Sequence, residues 1–125
     1  KFLDIYDQSK ETNDDTGDNS EKTFDVVEQM PSFPGGNGAL MSYLSSNVRC
    51  PVSAQNNGIQ GRVVVSFIVE KDGSISDAQV ERSVDPSLDR EALRVIRSMP
   101  RWNPGKKSGV PVRTRYNVPV SFRLP

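Results

Sequence analysis

The chain contains no histidine and a single cysteine, Cys50, among its 125 residues. Without imidazole there is no Ser–His–Asp triad, no Cys/His zinc cluster and no His-based acid–base chemistry. One cysteine cannot close an intramolecular disulfide. Cys50 precedes Pro51 and has no neighbouring base, so it reads as a small apolar filler rather than a nucleophile. No stretch approaches the roughly 18 consecutive apolar residues of a membrane span, and no secretory signal pattern opens the chain. Hydrophobic residues make up only 34%, so a core has to come from a few well-patterned segments. The length suits one domain, and the opening Lys1 in place of Met reads as a piece of a longer protein.

The formal net charge of zero conceals an asymmetry. Residues 1–30 hold nine acids against three lysines, whereas residues 31–125 hold 13 basic and 7 acidic groups. Residues 1–23 are mostly Asp, Asn, Ser, Thr, Lys and Glu, a composition that buries too little surface to offset its ordering entropy. They are expected to form a flexible acidic linker, apart from a possible packing role for Phe2–Tyr6, with the folded domain spanning residues 24–125.

The domain is organised around residues 61–84. A β-branched run from Gly61 to Val69, the pair Asp72-Gly73 and a second alternating run predict a β-hairpin with a tight two-residue turn. The first run is apolar on both faces, as an interior strand requires; the second is diluted by Asp77, Gln79, Glu81 and Arg82, as suits an edge. Upstream, Phe24–Glu28 reads as a short strand or arm, and Met30–Gly36 as an extended connector set by its prolines. Asn37 is expected to cap a helix reaching about Asn47, with Leu40, Met41, Leu44 and Val48 as its apolar stripe. Ser53–Gly61 reads as a polar loop.

Downstream of the hairpin, Asp85-Pro86 supplies an N-cap and a first-turn proline. Leu88, Ala92, Val95, Ile96 and Met99 then share one helical face, and Arg90, Arg94, Arg97 and Arg101 another. Residues 101–110 read as a loop from which Trp102 folds back onto the core. The last strand, Val112–Phe122, alternates cleanly between a buried and a wet face, and Pro119 places it at a sheet edge. The fold class is therefore α+β, with a β-β-α-β core. A right-handed crossover sets a three-stranded antiparallel-type sheet in the order second, first, third, with two helices on one face.

Other chemistry is poorly represented. Gly105-Lys106-Lys107-Ser108 lacks the earlier glycine of a phosphate loop. Asp85 and Asp89 are better explained by capping than as a catalytic carboxylate pair. No cofactor, metal or enzymatic role is expected. Seven arginines on the last helix and strand invite phosphate contacts, but the sheet shows no paired exposed aromatics for stacking bases, so no nucleic-acid partner is expected.

Residues 30–124 resemble the TonB C-terminal domain family. The matching series is Met30-Pro31-Ser32-Phe33-Pro34-Gly35-Gly36, Leu40–Asn47, Gly61–Val69 with Asp72-Gly73, and Val80–Val84. It continues through Leu88-Asp89 with Ala92-Leu93, Met99–Gly105 and Val118-Pro119-Val120-Ser121-Phe122. Cys50-Pro51 stands where the family commonly has Tyr-Pro. The resemblance implies a periplasmic domain joined, through a missing N-terminal part, to an inner-membrane anchor driven by proton-motive-force motor subunits. It implies capture of the TonB-box segment of outer-membrane receptors by strand addition to the last strand, here Val112, Arg113, Thr114, Arg115, Tyr116, Asn117 and Val118. Two alternatives stay open: a ligand-binding appendage of a membrane-embedded sensor metalloprotease, and an envelope module that self-associates, as a homodimer, through the same edge.

Overall fold

The computed structural model describes residues 22–124. In chain order they form β1 (Thr23–Phe24), α1 (Asn37–Asn47), α2 (Val52–Asn56), β2 (Gly61–Val69), β3 (Ile75–Arg82), α3 (Pro86–Arg97), β4 (Gly105–Lys107) and β5 (Val110–Phe122). The expected linker lies outside the described residues except for Lys22 and Thr23, and Phe2–Tyr6 lies wholly outside them.

The two-faced apolar pattern of β2 puts it inside the sheet. It pairs antiparallel with β3 on one side and with β5 on the other, from Gly61 opposite Phe122 to Val69 opposite Thr114. The order β3-β2-β5 is the expected one, and β1 and β4 add to it along β5. On one face, Val63, Val65, Phe67 and Val69 meet Val118, Val120 and Phe122, with Leu40 and Leu44 of α1 and Leu88, Ala92, Val95 and Ile96 of α3 in the same cluster. Side chains at alternate strand positions point to the other face, where Ser66 and Ile68 are also buried.

α3 forms as the capping pattern predicts: the Asp85 carboxylate accepts from the Ser87 N–H at 3.0 Å, ahead of Pro86. α1 begins differently. Gly36, not Asn37, holds the cap position and no side chain caps the helix. Gly35 and Gly36 both have φ near +90°, a turn into the helix that a residue with a Cβ enters only under strain. Leu40 and Leu44 are buried, but Met41, expected in the same stripe, is exposed. The short helix α2 replaces part of the expected polar loop, held by Ala54, which is fully buried.

The link between β2 and β3 is also not the two-residue turn expected. It spans residues 70–74, closed by Glu70 N–H to Ser74 O at 2.8 Å and Gly73 N–H to Glu70 O at 2.9 Å. Asp72 keeps a negative φ and instead accepts the Ser74 N–H on its side chain at 2.9 Å. Gly73 alone has positive φ, +88°, and the Trp102 N–H donates to its carbonyl at 2.8 Å. That contact seats Trp102 on the core, as expected from sequence, among Phe33, Phe67 and Tyr116.

Opposite the sheet, Glu91 of α3 ties down the chain leaving α1. Its carboxylate accepts from Arg94 Nε and Nη2, both at 2.7 Å, and from the Arg49 N–H at 2.8 Å. Chiefly through Arg94, these donors hold the Glu91 carboxyl below its ordinary 4.5. A carboxyl depressed in the folded state contributes stability above its unfolded pKa, and that contribution disappears as pH falls through the folded value. The urea midpoint of the unaltered protein is therefore expected to fall more steeply between about pH 5 and about pH 3 than that of Glu91→Gln. Parallel pH profiles for the two proteins would remove Glu91 from the acid response.

Candidate edge-strand interface

β5 carries the candidate site, and its alternating pattern dictates which atoms it offers. Val112, Thr114, Val118, Val120 and Phe122 are buried, while Asn117, Pro119 and Ser121 are exposed. Arg113 and Arg115 share the wet face and meet carboxylates of the β2–β3 hairpin. Arg113 Nε lies 2.8 Å from Glu70 Oε1, and Arg115 Nη2 lies 3.7 Å from Asp77 Oδ2. Asp77 takes a left-handed φ of +49° near a register shift between β2 and β3, as a β-bulge often requires.

The two flanks of β5 differ. One flank is paired with β2 from Thr114 to Phe122. On the flank away from β2, β1 runs parallel to β5, with Thr23 opposite Arg113 and Phe24 opposite Thr114. Further back, Val110–Val112 fold into a hairpin with β4 through Ser108 and Gly109, both at positive φ as a two-residue hairpin turn requires. The upstream chain then pairs with the β4 region, Gln29 opposite Lys106 and Ser32 opposite Asn103.

Of the seven residues expected to form the interface, Val112 lies opposite Gly105, and Arg113 and Thr114 lie opposite β1. Thr114 is also fully buried: a Cβ added to Gly105 would sit 2.3 Å from its Oγ1. Arg115, Tyr116, Asn117 and Val118 have no strand partner on the outer flank among the described residues, and the open stretch continues through Pro119 to Phe122.

β1 is held lightly. Besides its two-residue ladder, Phe24 has the ammonium groups of Lys22 and Lys107 within 5.2 and 5.1 Å of its ring centroid. Exposed cation–π contacts contribute about 0.5–1 kcal/mol each, so they add little to the two-residue ladder that covers Arg113 and Thr114. Sequence reasoning missed the β4–β5 hairpin, although Ser108-Gly109 is a turn signal. It also missed the pairing of β1, a contact between distant parts of the chain that leaves no local pattern.

Among the described residues no group of His, Cys, Asp or Glu is arranged to hold a metal, and no helix is long and apolar enough to cross a membrane. Cys50 is half-buried against the core and makes no disulfide.

Known proteins resemble this chain in sequence and in fold. The sequence profile described as the Gram-negative bacterial TonB protein C-terminal matches residues 46–124. The chain is 33% identical over 86 residues to Protein TonB of Helicobacter pylori strain 26695, covering 68% of this chain and 29% of that protein. It is 38% identical over 87 residues to Protein TonB of Haemophilus influenzae, covering 69% and 31% respectively. The chain thus spans less than a third of the length of these two relatives. Two solution structures of the H. pylori TonB C-terminal domain superpose on it with TM-scores of 0.53 and 0.51, at 28% and 30% identity. Each covers 69% of this chain, and 78% and 90% of the respective domain. Ordered motifs, strand order and these matches together establish that the chain belongs to the TonB protein C-terminal domain family.

Proposed function

We propose that this chain is the periplasmic C-terminal domain of a TonB-type energy transducer, a binding module rather than an enzyme. It captures the TonB-box segment of outer-membrane receptors by strand addition along the open flank of β5. Joined through an N-terminal part to an inner-membrane anchor that separate motor subunits drive, it couples proton-motive force to transport. The observation that carries this reading is the flank from Arg115 to Phe122, paired with β2 on one side and with no described strand on the other.

Such a flank suits its task energetically. An added strand forms about four hydrogen bonds, each contributing about 0.5–1.5 kcal/mol net. Association entropy opposes them by several kcal/mol, so capture is weak and reversible, as a module serving several receptors requires. Main-chain pairing also makes few demands on the partner's side chains. The same flank is open to β5 of a second copy, which would make a homodimer.

The test is an amide NMR titration of the isotope-labelled chain with an extended receptor-type peptide, alongside light scattering over a concentration series. Shifts confined to residues 115–122, with constant monomer mass, are expected. N-methylation of the peptide amides that face β5 should abolish them. A dimer that forms without peptide and does not respond to it would replace capture by self-association.

A further inference from the structure

Some arginines of this domain are matched by a nearby carboxylate and others are not. Arg113, Arg115, Arg94 and Arg101 each have a carboxylate within 4 Å, from Glu70, Asp77, Glu91 and Asp72. Arg62 of β2, Arg82 of β3 and Arg123 just beyond β5 have none among the described residues, yet all three line one concavity of about 560 Å³ at the end of the sheet. Arg62 lies opposite Ser121 and Arg82 opposite Val64, so three neighbouring segments deliver positive charge to one place.

Among the described residues the rest of the lining adds donors and no negative charge: Gln60 and Ser121 contribute an amide and a hydroxyl. The Gln60 side-chain carbonyl accepts the Leu124 N–H at 3.1 Å, which fixes the chain just after Arg123 and leaves the Gln60 amide hydrogens free to donate outward. Three guanidinium groups sharing a concavity repel one another, and an anion placed between them removes that penalty while gaining charge-assisted hydrogen bonds.

The concavity also lies at a telling place. Ser121 and Phe122 belong both to its lining and to the open flank of β5. Adjacent strands are about 4.8 Å apart, so a glutamate on a strand added beside Ser121 reaches across β5 toward the guanidinium that Arg62 extends from β2. We propose that Arg62, Arg82 and Arg123 form an anion subsite that takes one carboxylate side chain of the captured peptide, at the position lying beside Ser121. The subsite fixes the register of a pairing that the main chain alone leaves free to slide. This inference rests on the strand-capture reading and adds a specificity determinant to it.

The test uses end-capped nine-residue peptides of alternating threonine and valine. A single glutamate or glutamine is placed at each position in turn, and binding is read by titration calorimetry and amide NMR. One position is expected to bind about fivefold tighter with glutamate than with glutamine, a gain typical of partly exposed ion pairs. In Arg62→Gln/Arg123→Gln that advantage should vanish while the affinity of the all-neutral peptide is unchanged; Arg90→Gln/Arg97→Gln, on α3, should retain it. Because Arg62 and Arg123 are exposed, the double variant is expected to keep the native amide spectrum. Equal binding of the glutamate and glutamine peptides at every position, or an advantage that survives in Arg62→Gln/Arg123→Gln, overturns the subsite and leaves strand capture standing. Absence of any shift at residues 115–122 with every peptide overturns both.

Discussion

Trp102→Ala is expected to destabilise the domain by about 3–5 kcal/mol, as large-to-small aromatic substitutions in cores do. The indole is 3% exposed, with ring centroids 5.3 Å from Phe67, 5.3 Å from Tyr116 and 5.7 Å from Phe33. These partners come from β2, β5 and the connector ahead of α1, so one side chain joins three parts of the chain. Its Nε1 has no hydrogen-bond partner among the described residues, so the loss is one of packing and of the cavity left behind, not of a polar contact. Against a typical total stability of about 5–15 kcal/mol, the variant would retain little margin. Urea unfolding at fixed pH checks this. A loss below about 1 kcal/mol would show that Phe33, Phe67 and Tyr116 close over the vacated space and that the indole is dispensable.

Gly73→Ala is expected to be comparably severe although it only adds a methyl group. The new Cβ would lie 2.0 Å from the Trp102 carbonyl oxygen, a backbone atom that cannot swing aside. The residue also sits at φ +88°, where a non-glycine residue costs about 1–2 kcal/mol. Moving the 102 segment breaks the Trp102 N–H bond to Gly73 O, and an orphaned buried group costs about 1–3 kcal/mol. Gly109→Ala is the control, since it shares a positive φ of +77° but has nothing within 4 Å of the added atom. If clash rather than dihedral strain dominates, Gly73→Ala shifts the urea midpoint well beyond Gly109→Ala. Gly73→Ala and Trp102→Ala should also be less than additive, because both unseat the same indole. Equal shifts for the two glycines would refute the clash.

Much of this architecture was legible in the residues, for definite physical reasons. The interior position of β2 follows from apolar residues on both its faces, and α3 announces itself through Asp85, Pro86 and a regular buried stripe. Elements without periodicity were not legible: α2 is five residues long, and Met41 has the character of a core residue at a helical position that turns out to be exposed. Asp72-Gly73 was recognised as a turn, but its glycine is demanded by the approach of Trp102, a contact no local pattern announces. For the site, alternation and Pro119 marked the last strand as an edge. Which portion of that edge is open depends on Thr23 and Phe24, far away in sequence. Their pairing covers Arg113 and Thr114 and moves the open stretch toward Phe122.

The way β1 joins the sheet also determines how the domain would bear a load. Tension applied upstream of Lys22 falls first on the two-residue ladder between β1 and β5. Next come the isolated bridges at Gln29 and Ser32, and only then Phe33, wedged against Trp102. Releasing residues 23–32 pays out at most roughly 34 Å of slack, at about 3.4 Å per residue, before Phe33 is loaded. A short pull on the chain ahead of Lys22 would therefore be taken up by the segment before Phe33 and leave the β2–β5 pairing untouched.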